Sequence, residues 1–290
     1  LLFIINLIPC IKSIFEQSSH NLSIEIIVVD NNSNDNSVKL IKNDFPEIKL
    51  IINNKNEGFT KAVNLGAKSS IGNYLFILNP DTYFIDNSLY ILFELMEENK
   101  NIALLGPSMI SPSENIQQSY WRKPTLIHTL LSLIYLDVLN RKKNYSNELI
   151  KITKKVETIS GGAFFVRSFI FNLLEGFDPD FFWMEDIDFC LRVSNLGYEI
   201  YYTPKAKIVH YKGKSSEKNW PLTIYNQLIS KIKYFKKHHS KLETNILKIA
   251  ILLISIIKSI ILFTLIPVKS LYLNKLKGHL LVINSILFKN

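Results

Sequence analysis

The sequence lacks the glycine-rich and cysteine-rich patterns that mark several common protein classes. It has 10 glycines and two cysteines among 290 residues. No G-x-G-x-x-G follows the first apolar run and no G-x-x-x-x-G-K-[ST] occurs, which argues against dinucleotide dehydrogenases and P-loop enzymes. If a phosphate group binds here, we expect a metal to balance its charge. Cys10 and Cys190 show neither a pairing pattern nor metal-ligand spacing, so we expect two buried thiols in a reducing compartment.

Arginine is absent from the C-terminal part of the chain, and acidic residues are scarce there. The stretch from Lys205 to the end carries 16 lysines and two acids, a net charge of +14, whereas the first 204 residues carry −5. A basic tail indicates an anionic partner, either a membrane or a nucleic acid. Nucleic acid fits less well, because the tail has no arginine and is strongly apolar. We therefore expect a membrane surface, and no nucleic acid, as a partner.

The apolar run at 246–266 has 21 residues, ends before Pro267 and would roughly span a bilayer core. On a helix its polar residues and those just before it fall on one side; they are Lys241, Asn245, Lys248, Ser255, Lys258 and Ser259. This one-sided stripe favours a helix that lies in the plane of the membrane surface. A spanning helix, which the central lysine disfavours, and a helix packed within a soluble protein are the alternatives.

Short apolar runs alternate with amphipathic stretches through the body of the chain. The predicted strands are 24–30, 48–53, 74–81 and 102–107, and the predicted helices are 36–44, 58–70, 87–99 and 125–139. The segment NRKKNYSNE after the last of these helices is expected to be a solvated connection. Because strands and helices alternate at the spacing of βαβ units, the pattern predicts an α/β fold with a mostly parallel sheet.

Two aspartates stand where predicted strands end. Asp30 closes the run IEIIVVD, and Asp81 closes YLFILNPD. Ligands of parallel α/β sheets bind outside the carboxyl ends of the strands. A single aspartate at such a place is often only a turn residue or a helix cap. Together, on separate strands of one sheet, the two indicate a binding site.

The run FFWMEDIDFC, residues 181–190, places three acids among aromatic side chains. Burying an unpaired carboxylate is costly, so each acid needs either a partner or a task. Asp188 is predicted to pair with Arg192, four residues further along a helix. Upstream, Gly161 and Gly162 precede a strand-like run, and this pair predicts a close approach of the backbone to another group.

Six segments, taken in order, resemble the inverting family 2 glycosyltransferases over about residues 10–240. They are IIVVDNNSND (26–35), NEGFTKAVNLG (56–66), YLFILNPDT (74–82), SGGAFFVR (160–167), GFDPDFFWMEDIDFCLR (176–192) and YTPKAKIVHYKGKS (202–215). The resemblance is nearest to the rhamnosyltransferase-like branch. It implies a GT-A nucleotide-diphospho-sugar transferase fold, a Rossmann-like mixed sheet flanked by helices. We expect this domain at 1–240 and the basic, apolar helical tail at 241–290.

The resemblance implies a nucleoside-diphosphate-sugar donor with a divalent metal, Mn²⁺ or Mg²⁺, on its diphosphate. Asp30 matches the acid that hydrogen-bonds the base or ribose of the donor. Asp81 matches the last acid of the metal-binding D-x-D-type motif, and His210 matches a histidine that completes the metal site. The other implied donor-binding residues are Asn32, Asn56, Gly58, Asn64 and Asn79.

The resemblance also implies the acceptor side of the reaction. Asp186 matches the base that takes the proton of the acceptor hydroxyl, Glu185 is expected to orient the acceptor or a neighbouring side chain, and Trp183 either stacks on a sugar or packs. The implied activity is transfer of rhamnose or a similar sugar to a glycan or lipid-linked acceptor in surface polysaccharide synthesis. The implied location is the cytoplasmic face of the inner (plasma) membrane, with the protein peripheral or anchored by one helix.

The start of the chain departs from the family, which begins with a strand of the type V-x-I-I-V-x-Y-N. Here only LLFIIN (1–6) could be that strand, and the linker to the next helix is several residues too short, so we expect either a truncated N-terminal strand or a damaged first loop. A truncated, non-catalytic relative that binds glycan or a partner is the alternative. The presence of Asp81, Asp186 and His210 counts against that alternative. A nucleic-acid-binding protein rests on charge alone.

Overall fold

The described part of the chain contains interspersed helices and strands and ends in three successive helices. The computed structural model describes residues 2–17, 22–136, 151–211, 219–267 and 271–288. The helices are α1 (Leu2–Glu16), α2 (Ser37–Asp44), α3 (Phe59–Lys68), α4 (Ser88–Glu98), α5 (Leu126–Leu133), α6 (Ser168–Leu173), α7 (Glu185–Asn195), α8 (Trp220–His238), α9 (Lys241–Leu265) and α10 (Leu271–Phe288). The strands are β1 (Ile27–Asp30), β2 (Lys49–Ile52), β3 (Tyr74–Leu78), β4 (Thr82–Ile85), β5 (Ile102–Ile110), β6 (Ile116–Gln117), β7 (Tyr120–Trp121), β8 (Lys154–Lys155), β9 (Thr158–Ile159), β10 (Ala163–Arg167) and β11 (Glu199–His210).

The main sheet is mixed and has seven strands. Its order is β3-β10-β5-β11-β4, with β6 beside β5 and β8 beside β11. Of these pairings only β5–β11 is parallel. The prediction of a mostly parallel sheet is therefore wrong, because β10 returns after the paired glycines and runs antiparallel between β3 and β5. The mixed sheet flanked by helices, implied by the family resemblance, is confirmed.

Strands β1 and β2 form a separate parallel pair rather than part of the main sheet. Asp30 ends β1, whereas Asp81 lies in the turn after β3. The alternation predicted that the two aspartates end strands of one sheet. Among the described residues they do not, so this prediction is wrong. Both still follow the C-terminal ends of buried or half-buried strands, where loops carry functional groups.

Strand β10 explains how the sheet builds a core on both of its faces. Successive side chains of a strand point to opposite faces. Phe164 accordingly packs with Phe171, Phe177 and Phe189 from α6, α7 and the loop between them. Phe165 packs in the cluster that contains the α4 side chains. All nine residues of β5, in the middle of the sheet, are buried.

The N-terminal segment is a helix, not a strand. Leu7, Ile8 and Ile11 recur at helical spacing and pack in the cluster that contains Ile41 of α2. The assignment of LLFIIN as the only possible first strand is therefore wrong: residues 2–6 begin α1, and the first described strand is β1. Gln17 joins the end of α1 to the sheet, since its amide donates to Asp86 O at 2.7 Å and accepts from Leu89 N at 3.1 Å.

The chain divides into two compact units. The α/β unit consists of 1–123, 145–180 and 185–212, and the helical unit of 124–144, 181–184 and 213–290. The helical unit thus takes in α5 and α8 as well as the predicted tail at 241–290. The predicted helix at 125–139 is observed as Leu126–Leu133, and its last three residues and the segment NRKKNYSNE lie outside the described residues.

Helix α9 has an unusual distribution of side chains. Ser255 and Ser259 are buried. The Oγ atom of Ser255 lies 3.3 Å from Nδ1 of His279, a buried residue of α10. Lys258 Nζ lies 3.4 Å from the carbonyl oxygen of Leu133. Lys241, Asn245 and Lys248 are exposed. The second half of the predicted polar stripe therefore faces the interior of the helical unit instead of solvent.

The outward side of α9 is apolar. Its exposed large apolar residues are Leu242, Ile246, Ile249, Leu253, Ile256, Ile257, Ile260, Ile261 and Phe263. Within the described residues, α9 is the one helix long and apolar enough to cross a membrane. A capping box between Ser240 and Glu243 starts the helix, and it ends two residues before Pro267, as the sequence predicted.

Candidate active site

Asp81 and His210 face each other at one end of the main sheet. Asp81 lies in the turn between β3 and β4, and His210, the last residue of β11, pairs with Thr82 of β4. The Nε2 atom of His210 lies 3.5 Å from Oδ1 of Asp81. The backbone N–H of Tyr211 donates to the Asp81 carbonyl oxygen at 2.9 Å. The backbone pairing therefore places a carboxylate and an imidazole together.

Gln117 holds the other side of the His210 ring. Its Nε2 atom donates to the His210 carbonyl oxygen at 2.8 Å, and its Oε1 atom lies 3.1 Å from His210 Nδ1. The sequence analysis missed this residue. It lies in a two-residue strand, in a segment whose sequence shows no clear period, so no local signal distinguishes it from its neighbour Gln118.

The paired glycines approach other groups closely, as their pattern predicted, and these groups belong to the Asp81 turn and the acidic run. The Gly161 N–H donates to Asp186 Oδ2 at 2.8 Å, and a Cβ at Gly161 would lie 3.3 Å from the Cβ of Asp186. The Asn79 N–H donates to the Gly162 carbonyl oxygen at 3.1 Å, and a Cβ at Gly162 would lie 3.2 Å from Asn79 Nδ2. Side chains at either position would crowd these neighbours.

Glu185 and Asp186 open helix α7 as a coupled pair of carboxyl groups. Burial raises the pKa of Asp186, although hydrogen bonds from the Gly161 and Ile187 amides partly offset the shift. Burial, followed by the charge of Asp186, raises the pKa of Glu185 to about 8. In the described part of the protein, Glu185 Oε2 is buried without a hydrogen-bond partner. Burial thus favours the neutral form of both carboxyl groups.

Asp188 pairs with Arg192, as its spacing predicted. The Asp188 side chain is fully buried, and its Oδ2 accepts from Arg192 Nε at 2.8 Å. The two terminal nitrogens of Arg192 donate to the carbonyl oxygens of Leu174 and Gly176 at 2.7 and 2.9 Å. The third acid of the run thus has a structural partner.

The residues predicted to bind the nucleotide lie in two loops that hydrogen-bond to each other. Asp30 is buried, and its Oδ2 accepts from the Ser33 N–H at 3.1 Å. Asn31 Nδ2 donates to the Gly58 carbonyl oxygen at 3.1 Å, and Asn56 Oδ1 accepts from the Gly58 N–H at 3.0 Å. Gly58 has φ of 87°, in the left-handed region that favours glycine. The binding roles of these residues stay predictions.

Three further predicted residues have individual environments. Both ends of the Asn64 amide bond to the backbone of Phe177, at 2.7 and 2.9 Å, so Asn64 fixes that loop. Asn32 adopts φ of 63° in the loop after β1. Trp183 belongs to the helical unit and is 39% exposed. Their parts in donor or acceptor binding also stay predictions.

Comparison with known proteins identifies the family. The family model described as "Glycosyl transferase family 2" matches residues 6–174, more than half of the chain. The chain belongs to glycosyl transferase family 2. The family predicted from the six sequence segments is therefore confirmed, and the protein is a glycosyltransferase.

Two curated relatives in the family are rhamnosyltransferases. The N-acetylglucosaminyl-diphospho-decaprenol L-rhamnosyltransferase of Mycobacterium tuberculosis is 24% identical over 209 residues, covering 67% of this chain and 68% of the relative. The dTDP-rhamnosyl transferase RfbF of Shigella flexneri is 26% identical over 266 residues, covering 86% of this chain and 81% of the relative. These similarities confirm the rhamnosyltransferase-like branch.

Two solved glycosyltransferase structures share the GT-A fold of this chain. The mannosyltransferase PcManGT from Pyrobaculum calidifontis, in complex with GDP-Man and Mn²⁺, has a TM-score of 0.58 and 12% identity, covering 99% of this chain and 85% of that chain. GalNAc-T7 with UDP, GalNAc and Mn²⁺ has a TM-score of 0.54 and 18% identity, covering 71% of this chain and 41% of that chain. The present chain thus spans about two fifths of GalNAc-T7.

Proposed function

We propose that the protein transfers rhamnose, or a similar sugar, from a nucleoside-diphosphate sugar to a glycan or lipid-linked acceptor, with inversion at the sugar carbon. One observation carries the proposal. The glycine pair contacts Asp186 through Gly161 and the Asn79 segment through Gly162. A carboxylate suited to act as a base and a turn suited to hold a metal therefore lie on either side of one short backbone segment.

Asp81 and His210 suit a divalent metal on the donor diphosphate. A carboxylate oxygen and an imidazole nitrogen together fit Mn²⁺ somewhat better than Mg²⁺, which prefers oxygen alone. Among the described residues, no group of three or more His, Cys, Asp or Glu side chains could hold a metal. Such a metal would take its remaining ligands from the diphosphate and water. When bound, it supplies positive charge to the departing nucleoside diphosphate.

Asp186 is the base in this proposal. Inversion requires one group to take the proton of the acceptor hydroxyl while that oxygen attacks the sugar carbon. The Gly161 N–H holds Oδ2 of Asp186, which fixes the orientation of the carboxylate. The raised pKa of Asp186 makes its ionised form a stronger base. Glu185, whose Oε2 is buried and has no hydrogen-bond partner among the described residues, orients the acceptor hydroxyl.

The names of the relatives support the choice of substrates. One is named for dTDP-rhamnose and another for a diphospho-decaprenol acceptor, which is lipid-linked. The solved neighbours carry UDP or GDP-Man with Mn²⁺. We extend from these names a rhamnosyl donor and a lipid-linked or glycan acceptor to the present chain.

The helical unit is proposed to hold the enzyme at the cytoplasmic face of the membrane. The exposed apolar side of α9 is larger than a soluble surface usually carries, and the exposed lysines Lys241 and Lys248 suit anionic headgroups. Binding to anionic vesicles should weaken in high salt if α9 lies in plane. Retention in the membrane through both high salt and alkaline carbonate would instead indicate a spanning arrangement.

A screen of donors tests the proposed activity. The purified protein should be stabilised by dTDP-rhamnose or a related nucleotide sugar in a thermal-shift assay, and more so with Mn²⁺. The stabilising donor is then supplied with an N-acetylglucosaminyl-diphospho-lipid, and transfer of the sugar is followed by mass spectrometry. Transfer by the parent and not by Asp186→Asn supports the proposal. Donor binding without any transfer to lipid or glycan acceptors would favour a non-catalytic binding protein.

A further inference from the structure

We propose that Gln117 is a positioning residue that fixes the tautomer of His210 and thereby aims its Nε2 lone pair at Asp81. The consequence for metal binding rests on the proposed function, because it assumes that Asp81 and His210 hold a divalent metal. The tautomer itself is a property of His210 that exists without a metal. The two parts can therefore succeed or fail separately.

The hydrogen bonds between Gln117 and His210 allow one assignment of donors and acceptors. The His210 carbonyl oxygen can only accept, so the Gln117 atom 2.8 Å from it is the amide nitrogen. The other end of the amide is then the carbonyl oxygen, which lies 3.1 Å from Nδ1 and can also only accept. Nδ1 therefore carries the proton, and Nε2 of the neutral ring is left as the acceptor.

This tautomer leaves two acceptors facing each other. Nε2 of His210 and Oδ1 of Asp81 are 3.5 Å apart, and neither has a proton to share when the ring is neutral. A lone pair and a carboxylate at this distance repel unless a cation or a proton lies between them. The positions of Asp81 and His210 therefore favour binding of a cation between them. In metal sites an outer hydrogen bond to the second ring nitrogen is the usual way to orient a histidine ligand.

The strands hold Gln117 in register with His210. Gln117 pairs with Met109 of β5 in the β5–β6 hairpin. The next residue of β5, Ile110, pairs with Val209, which immediately precedes His210 on β11. The contact is therefore fixed by backbone pairing through β5, and not by a mobile side chain alone.

Nitrogen NMR of the imidazole rings in metal-free protein tests the tautomer. In the parent, His210 should show Nδ1–H and an unprotonated Nε2 at a pH where the ring is neutral. Gln117→Leu should shift His210 toward the Nε2–H form that free histidine prefers. Gln117→Glu keeps an acceptor for Nδ1–H and should preserve the parent tautomer. Gln118→Leu is the matched control, because the Gln118 amide donates to the carbonyl oxygen of Tyr120 instead.

Titration with Mn²⁺ in the presence of dTDP tests the consequence. Gln117→Leu should weaken Mn²⁺ binding about 10–100-fold, the usual effect of losing an outer-shell partner. Gln117→Glu should lose less, and Gln118→Leu should bind like the parent. An unchanged His210 tautomer in Gln117→Leu would overturn the inference. A shifted tautomer with unchanged Mn²⁺ affinity would overturn its link to the metal, provided that His210→Ala weakens binding. If His210→Ala and Asp81→Ala both bind Mn²⁺ normally, the proposed metal site is wrong, whatever the tautomer.

Discussion

Strand β5 of the α/β unit and helix α9 of the helical unit differ in the side chains that they bury and expose. In the α/β unit all nine residues of β5 are buried, and the polar pair of Asp81 and His210 lies where strands end. In the helical unit Ser255 and His279 are buried, whereas Ile257 and Ile260 are 55% and 64% exposed. The first pattern suits a protein surrounded by water, and the second suits a surface that meets lipid. The proposed chemistry and the proposed membrane binding thus belong to different parts of one chain.

Removing the proposed base should give the largest effect, and it tests whether the chemistry belongs to the α/β unit. Asp186→Asn should lower kcat by roughly 10²–10⁴-fold, the usual contribution of a general base. Donor affinity should hardly change, because the proposed base acts on the acceptor hydroxyl and not on the diphosphate. Steady-state kinetics with the identified donor and acceptor measure both quantities. Glu185→Gln should cost less or act through the acceptor KM.

The outcome also decides between the carboxylates of the acidic run. Transfer at nearly the parent rate by Asp186→Asn, with Glu185→Gln inactive, would move the base to Glu185. An inactive Asp188→Asn would not have that meaning, since Asp188 is buried in its pair with Arg192.

Breaking that buried pair should unfold the α/β unit more easily. Asp188→Asn removes the carboxylate partner of Arg192, whose side chain is only 17% exposed, and should cost up to about 3–5 kcal/mol of unfolding free energy. The matched control is Lys61→Gln, which breaks another pair four residues apart, with Glu57, at 3.3 Å and with the lysine 55% exposed. That pair should be worth about 0–1 kcal/mol. Urea unfolding measures both, and equal losses would contradict the role given to burial.

Exposed isoleucines give a direct comparison of the two units. Replacing Ile257 by lysine on α9 should weaken binding to anionic vesicles roughly tenfold or more, because burying such a side chain is worth about 1.5–3 kcal/mol. Ile71→Lys is the control, since Ile71 is 92% exposed but lies in the α/β unit. Vesicle flotation measures the partition. Equal binding by the two variants would show that the outward side of α9 does not contact the membrane surface.

Glu185 should make stability depend on pH. Its ordinary pKa is 4.5, and in the folded protein the value is raised to about 8. Between these values the folded protein holds a proton that the unfolded chain has released, so stability falls as pH rises. Glu185→Gln should flatten the curve over this range, which is measured by urea unfolding at several pH values. Glu98→Gln, exposed on α4, should keep the parent slope. A parent slope in Glu185→Gln would show that other groups cause it.

Local patterns in the sequence predicted much of the fold and part of the site. The apolar run IEIIVVD and the spacing of Asp188 and Arg192 are local patterns. The first contains β1, and the second corresponds to an ion pair. The paired glycines predicted a close approach, although Asp186 and Asn79 as the neighbours emerge only from the fold. The order of the six sequence segments predicted the family.

Other features depend on tertiary packing, which no local pattern records. The direction of β10 reverses the expected parallel order, because pairing partners far apart in sequence decide it. Gln117 lies in a two-residue strand, and only its register with β11 brings it to His210. The polar stripe of α9 was identified correctly in position. The inward orientation of its second half depends on contacts with α10 and α5, and the helical period of α9 does not reveal these contacts.

Calorimetry of dTDP binding with and without Mn²⁺ tests the central claim, that Asp81 and His210 hold a metal on the donor diphosphate. The parent should bind dTDP tightly only with Mn²⁺. Asp81→Ala should lose this metal dependence, whereas Asp44→Ala, an exposed aspartate on α2, should keep it. Metal-dependent binding that is as strong in Asp81→Ala as in the parent would contradict the account and place the metal elsewhere.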